Sequence, residues 1–179
     1  MLAVEGQKAV RHPAFGQGAM AMSTMQAARL VAAIAAGGRY RRCPATMELG
    51  AACADSVVLD DPAALAPIIA GMRRVMTEGT GRGLRPPRDV RVYGKTGTAD
   101  ALGYAGEEAF GIERGSEAAP HSWFVAFAEP ASTSECAVTA PGRLAIAVVV
   151  PRGGAGALTA APLAMKLLEA ARELGYLRR

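Results

Sequence analysis

The densest run of chemistry-bearing residues in this chain is Tyr93-Gly94-Lys95-Thr96-Gly97-Thr98-Ala99. It sets one ammonium, two hydroxyls and two side-chain-free stretches of backbone on a single short segment. That combination suits an anionic, peptide-like ligand. An extended ligand can add to a sheet edge while ammonium and hydroxyl groups meet its carboxylate. A plain solvent-facing strand is the alternative, since threonine is favoured in strands. Gly94 and Gly97 argue against it, because glycine inside a strand marks a close approach by a ligand or another backbone. A phosphate loop does not match, because residues 79–98 hold no Gly-x-x-x-x-Gly-Lys-Ser/Thr spacing.

Other chemistries find less support. Ser122 follows His121, but neighbours on a strand point to opposite faces, so the pair is read as structural. His12 is read as a surface or loop histidine. Cys43, Cys53 and Cys136 have no metal-ligand spacing, and no metal or cofactor is expected. Cys43 and Cys53 are either a bridge in an oxidising compartment or two small apolar residues. Ser134-Glu135-Cys136 lies after the lysine motif.

The catalytic-looking run needs a strand to hold it. Val90 to Ala99, His121 to Ala128 and Arg143 to Val150 all read as strands. The last is β-branched and continuous, which predicts burial on both faces. Upstream the period is helical. Ser23-x-x-Gln26 forms a capping box, Ala27, Leu30, Val31 and Ile34 make one apolar face, and Gly37-Gly38 predicts a left-handed stop. Asp61-Pro62 opens a second helix through Ile68, Ile69, Met72, Val75 and Met76 to Gly79, with a kink or restart at Pro67. A final helix, about 158–174, places Leu163, Leu167, Ala171 and Leu174 on the side predicted to be buried. Lys166, Glu169, Arg172 and Glu173 form the solvated side.

Helices, three strands and a helix, without βαβ alternation, predict an α+β fold with an antiparallel three-stranded sheet packed with helices. The chain divides into a helical segment (about 1–80), the lysine-bearing sheet (about 88–152) and a C-terminal helix (about 158–175). Residues 100–120 form a connection long enough to be functional, and 129–142 read as an ordinary surface loop.

Composition bounds the rest. The chain has 179 residues, of which 51% are hydrophobic, enough to bury a core rather than stay disordered. A net charge of +4, with Arg39-Tyr40-Arg41-Arg42 as its densest basic cluster, is too dispersed for a nucleic-acid stripe. The longest apolar run, Leu144 to Val150, is far short of the ~20 residues that span a bilayer. Met1 to Lys8 has no signal-peptide apolar stretch, so no membrane segment is expected.

Lys95-Thr96-Gly97-Thr98 resembles the third motif of the serine penicillin-recognising proteins. Its surroundings extend the likeness to class B penicillin-binding proteins, the peptidoglycan D,D-transpeptidases. Phe15-Gly16-Gln17-Gly18 before the capped helix is similar to their upstream segment, and Met72 to Gly81 resembles their next helix end. His121-Ser122-Trp123-Phe124-Val125-Ala126-Phe127-Ala128 and Leu144 to Val150, with Gly153-Gly154, resemble their following strands. The resemblance runs in order over nearly the whole chain. It implies the C-terminal part of a β-lactamase/transpeptidase-like fold.

It also implies roles. Lys95 contributes positive potential near the nucleophile and the ligand carboxylate. Thr96 and Thr98 hold that carboxylate through their hydroxyls, and Gly97 keeps the strand open to the substrate backbone. The Thr98 N–H supplies half of an oxyanion hole, a donor worth on the order of 3 kcal/mol in such enzymes. Trp123 near the cleft could touch ligand. The implied substrate is the D-alanyl-D-alanine end of a peptidoglycan stem peptide, or a β-lactam imitating it, and the reaction is acyl transfer through a serine ester.

The family's other two motifs are missing. Residues three before Lys8, Lys95 and Lys166 are Glu5, Val92 and Leu163, so no Ser-x-x-Lys nucleophile exists here. There is no asparagine, hence no Ser-x-Asn. The expectation is a transpeptidase fragment, inactive alone, with no nucleophile of its own. Its last strand would pair with the missing N-terminal part or another chain. The family implies a periplasmic or extracytoplasmic site, anchored through that absent region. A non-catalytic peptidoglycan-recognition or partner-binding module, or one half of a split transpeptidase, are the alternatives.

Overall fold

Ser23 starts the first helix. In the computed structural model, which describes residues 22–42, 54–57, 59, 61–99, 120–132 and 142–177, its Oγ accepts from the Gln26 N–H at 3.2 Å. The Ser23 N–H donates back to Gln26 Oε1 at 2.8 Å. Helix α1 (Thr24–Ala35) then runs to Gly37 and Gly38, whose φ angles of 65° and 86° supply the expected left-handed stop. The buried face is Ala27, Val31 and Ala35, with Ile34 beside it. Leu30 is exposed, against the expectation from spacing.

The chain continues as β1 (Arg39–Arg42), paired antiparallel with β2 (Ala54–Val57), a ladder the basic composition of Arg39 to Arg42 concealed. Asp61 caps a 3₁₀ turn, Pro62–Leu65, by accepting from the Ala63 N–H at 2.9 Å. Helix α2 (Ala66–Thr77) begins anew with Pro67 in its first turn, where a missing N–H costs nothing. Pro67 therefore marks a restart rather than a kink.

Strands β3 (Val90–Ala99), β4 (His121–Pro130) and β5 (Leu144–Val150) form an antiparallel sheet in that order. Lys95 lies opposite Val125, and Ser122 lies opposite both Thr98 and Val150. One face buries Val92, Phe124, Ala126 and Val148 under helix α3 (Ala160–Glu173) and Met76 of α2. The other packs Tyr93 and Phe127 against Val31 and Ala35 of α1 and Met72 of α2. Strand β5 meets helices on both faces, yet only Val148 is fully buried. It is an edge of the described sheet, so the predicted full burial is not reached.

Two further expectations change. Helix α3 presents Ala160, Ala161, Ala164, Met165 and Leu168 to the sheet and leaves Leu163, Leu167 and Leu174 exposed. Small residues let the helix backbone approach a sheet face already filled by Phe124. The leucine stripe is too bulky for that position. Strand β4 extends through Glu129 and Pro130, both buried, where a surface loop is expected from sequence.

Glu129 is the most deeply buried charge among the described residues, at 0% exposure. Its Oε1 accepts from Tyr93 Oη at 3.0 Å and Arg91 Nη1 at 3.3 Å, and Arg143 bonds its Oε2. Burial pushes the Tyr93 hydroxyl above its ordinary range; the Arg91 hydrogen bond opposes that shift and Glu129 reinforces it. Tyr93 stacks on Phe127 with centroids 4.4 Å apart, and the Arg143 guanidinium lies 6.0 Å from the same ring.

Candidate functional site

The hydrogen-bonding phase of β3 decides which backbone groups face outward. At the start of the β3–β4 ladder the Ala131 N–H donates to the Asp89 carbonyl at 2.8 Å. Residues 89 and 131 fall on the same register as the pairs Val90–Pro130 through Ala99–His121. In an antiparallel ladder, residues that exchange bonds with the partner alternate with residues that turn both groups away. Lys95 and Gly97 share the phase of Asp89 and face β4. Thr96 and Thr98 therefore direct N–H and C=O to the opposite edge, which no described strand covers.

Side chains alternate the other way. Lys95 projects on the α1 face and is exposed, while Thr98 is exposed on the α3 face. Lys95 Nζ donates to the Thr96 carbonyl at 2.6 Å, and no carboxylate among the described residues pairs with it. The ammonium thus sits on an outward-turned carbonyl of its own strand.

Thr96 is committed internally. Its side chain is buried, and its Oγ1 lies 2.7 Å from Thr80 Oγ1, in the turn after α2. Thr80 is the residue that motif reading passes over. Its only signal is its place in the helix end before Gly81.

Both motif glycines answer to internal packing as well as to any ligand. A Cβ on Gly94 would lie 2.5 Å from Phe124 Cζ. Gly156, in the turn before α3, is pressed onto the β3–β4 ladder: its Cβ would meet the Trp123 carbonyl at 2.4 Å and the Gly97 carbonyl at 2.5 Å. Trp123 is half-buried opposite Gly97, on the Lys95 face.

Ser122 and His121 diverge, as their alternation predicts. Ser122 is fully buried; its hydroxyl donates to the Ala155 carbonyl at 3.2 Å and accepts from the Ala160 N–H at 3.0 Å, which caps α3. His121 Nδ1 accepts from the Arg152 N–H at 3.1 Å. Neither is arranged as nucleophile or base. His12, Phe15 to Gly18, Cys43, Cys53, residues 100–119 and Ser134 to Cys136 lie outside the described residues. Among the described residues no cluster of His, Cys, Asp and Glu could hold a metal ion, and no helix is long and apolar enough to cross a membrane.

Comparison with known proteins bears on this geometry. The structure is similar to a peptidoglycan glycosyltransferase from Burkholderia ambifaria, with TM-score 0.57 and 21% identity over 86% of this chain and 41% of that chain. It is also similar to a chain from a peptidoglycan synthase complex in which polymerization and crosslinking are coordinated. That match has TM-score 0.56 and 22% identity over 94% of this chain and 27% of that chain. These likenesses concern the fold, and the chain spans less than half the length of either relative. No curated protein sequence matches. The family model of the penicillin binding protein transpeptidase domain matches residues 6–169. With nearly the whole chain inside that match, and a helix-covered antiparallel sheet of the expected kind beneath it, the chain belongs to the penicillin-binding protein transpeptidase family.

Proposed function

We propose that this chain forms the substrate-binding wall of a peptidoglycan D,D-transpeptidase, with the attacking serine supplied by sequence outside it. Lys95, Thr96, Gly97 and Thr98 receive the D-alanyl-D-alanine end of a stem peptide, or a β-lactam. One observation carries this reading: Thr98 turns its N–H to the edge of β3 that no described strand pairs, beside the exposed ammonium of Lys95, which no carboxylate among the described residues meets. A ligand strand adding there takes the Thr96 carbonyl and releases Lys95 Nζ to a carboxylate. The Thr98 N–H then faces a developing oxyanion. The Thr96 hydroxyl acts through its bond to Thr80, and Trp123 walls the Lys95 side.

The same phase makes Ala145, Ala147 and Val149 turn their backbone groups outward on β5, an edge of the described sheet at which a strand from sequence outside this chain or from another chain adds. The working location is extracytoplasmic, where peptidoglycan is crosslinked. The chain alone is not a catalyst, because it contains neither Ser-x-x-Lys nor asparagine.

The experiment is labelling with a fluorescent penicillin. The isolated chain stays unlabelled, whereas addition of a polypeptide carrying Ser-x-x-Lys and Ser-x-Asn gives a label on that polypeptide, lost when Lys95→Ala replaces the wild-type wall. Stoichiometric labelling of the isolated chain contradicts the reading.

A further inference from the structure

Thr80 stands in the turn after α2, between two glycines that the turn needs for space. A Cβ on Gly79 would lie 2.8 Å from Val75 Cα, and one on Gly81 would lie 3.1 Å from both Met76 Sδ and the Val75 carbonyl oxygen. The backbone is tied down at the same points. The Gly79 N–H donates to the Arg74 carbonyl at 2.9 Å, the Gly81 N–H to the Val75 carbonyl at 2.9 Å, and the Arg82 N–H to the Gly79 carbonyl at 3.1 Å. The turn therefore folds tightly onto the helix end and carries Thr80 to β3, where its Oγ1 lies 2.7 Å from Thr96 Oγ1.

A hydroxyl has one proton to give and two lone pairs to accept with, so one of the two threonines donates in that contact. When Thr96 is the donor, its oxygen offers only lone pairs to anything else and repels a carboxylate. When Thr80 is the donor, the Thr96 proton stays free. Thr80 is exposed, so water satisfies its remaining lone pairs, whereas Thr96 is buried and has little solvent contact of its own. A carboxylate at Thr96 fixes the order Thr80 to Thr96 to ligand, in which each hydrogen bond strengthens the next.

We propose that Thr80 is a positioning residue for the ligand carboxylate: it donates to Thr96 Oγ1 and so commits the Thr96 proton to the ligand. The proposal rests on the reading of Lys95 to Thr98 as the carboxylate-binding strand.

The test is titration of the 179-residue chain with an acyl-D-alanyl-D-alanine peptide, followed at the Thr98 amide resonance. Thr80→Val keeps the branched shape without the hydroxyl. It is expected to raise the dissociation constant about threefold to tenfold at unchanged melting temperature, and Thr80→Ala does the same. Thr80→Ser, which keeps a hydroxyl, stays within about twofold of wild type. A residue that only packs weakens binding whatever stands at position 96. A positioning residue acts through Thr96, so Thr80→Val has no further effect beside Thr96→Val, a variant that retains Lys95 and the Thr98 N–H. A wild-type chain that does not bind the peptide overturns the reading of the strand and the proposal with it. A wild-type chain that binds no better than Thr80→Val and Thr80→Ala overturns the proposal alone. So does Thr80→Ser binding as weakly as Thr80→Val, or a Thr80→Val loss that persists in full beside Thr96→Val.

Discussion

Arg143 reaches Glu129 with two nitrogens, Nη2 at 2.7 Å and Nε at 2.8 Å from Oε2, while Nη1 donates to the Ala35 carbonyl at 2.6 Å. One guanidinium therefore ties the end of β4 to the C-terminus of α1, where a cation also suits the helix dipole. Arg91 holds the other carboxylate oxygen from β3. The cluster fixes β3 and β4 against α1 two residues from Lys95 on the same strand face, at Tyr93.

Glu129→Gln removes the buried carboxylate that lies between two part-buried guanidinium groups. The expected loss is about 3–5 kcal/mol, because breaking a buried pair leaves uncompensated charge. Urea unfolding measures it, and a loss below about 1 kcal/mol contradicts a closed, low-dielectric cluster.

Tyr93→Phe keeps the stacked ring and deletes the hydroxyl bonded to Glu129. It costs about 1–2 kcal/mol at neutral pH. It also changes the alkaline limb. The Tyr93 hydroxyl ionises at higher pH folded than unfolded, so its contribution is complete below the unfolded value of about 10 and is lost as pH rises through the folded one. Urea midpoints from about pH 9 to 11 should fall less steeply for Tyr93→Phe than for wild type. Parallel limbs contradict the assignment.

Two glycine substitutions separate packing from propensity. Gly156→Ala drives a methyl into the Trp123 and Gly97 carbonyls, fixed backbone on both sides, and destabilises by about 1–3 kcal/mol. Gly71→Ala, on the exposed side of α2 with nothing within 4 Å, stabilises by about 0.5–1 kcal/mol. Thermal melts of the two variants should move in opposite directions.

Local chemistry was legible in the sequence, and choices made by distant partners were not. The Ser23–Gln26 box, the stop at Gly37-Gly38 and the restart at Pro67 each depend on residues a few positions apart. The Lys95 strand was equally legible, down to its ends at Val90 and Ala99. The buried face of α3 was not, because the leucine stripe satisfies helical periodicity as well as the alanine face does. Only the crowded sheet under Phe124 selects between them. Glu129 likewise reads as the start of a loop, since Arg91 and Arg143, which make its burial tolerable, stand 38 and 14 residues away. The outward phase of Thr98 needed the Ala131–Asp89 hydrogen bond, which no spacing rule supplies.

The central claim is that Thr98 presents its N–H, on the edge of β3 that no described strand pairs, to a carboxylate-bearing peptide held by Lys95. Residue-resolved amide NMR with an acyl-D-alanyl-D-alanine peptide tests it most directly. The account predicts fast exchange at Thr98 and slow exchange at Gly97 in the free chain. Saturable shifts and protection at Thr98 should appear on titration, and be absent in Lys95→Ala, whose melting temperature is unchanged. A Thr98 amide already protected in the free chain, or unmoved at peptide concentrations that shift other resonances, contradicts it.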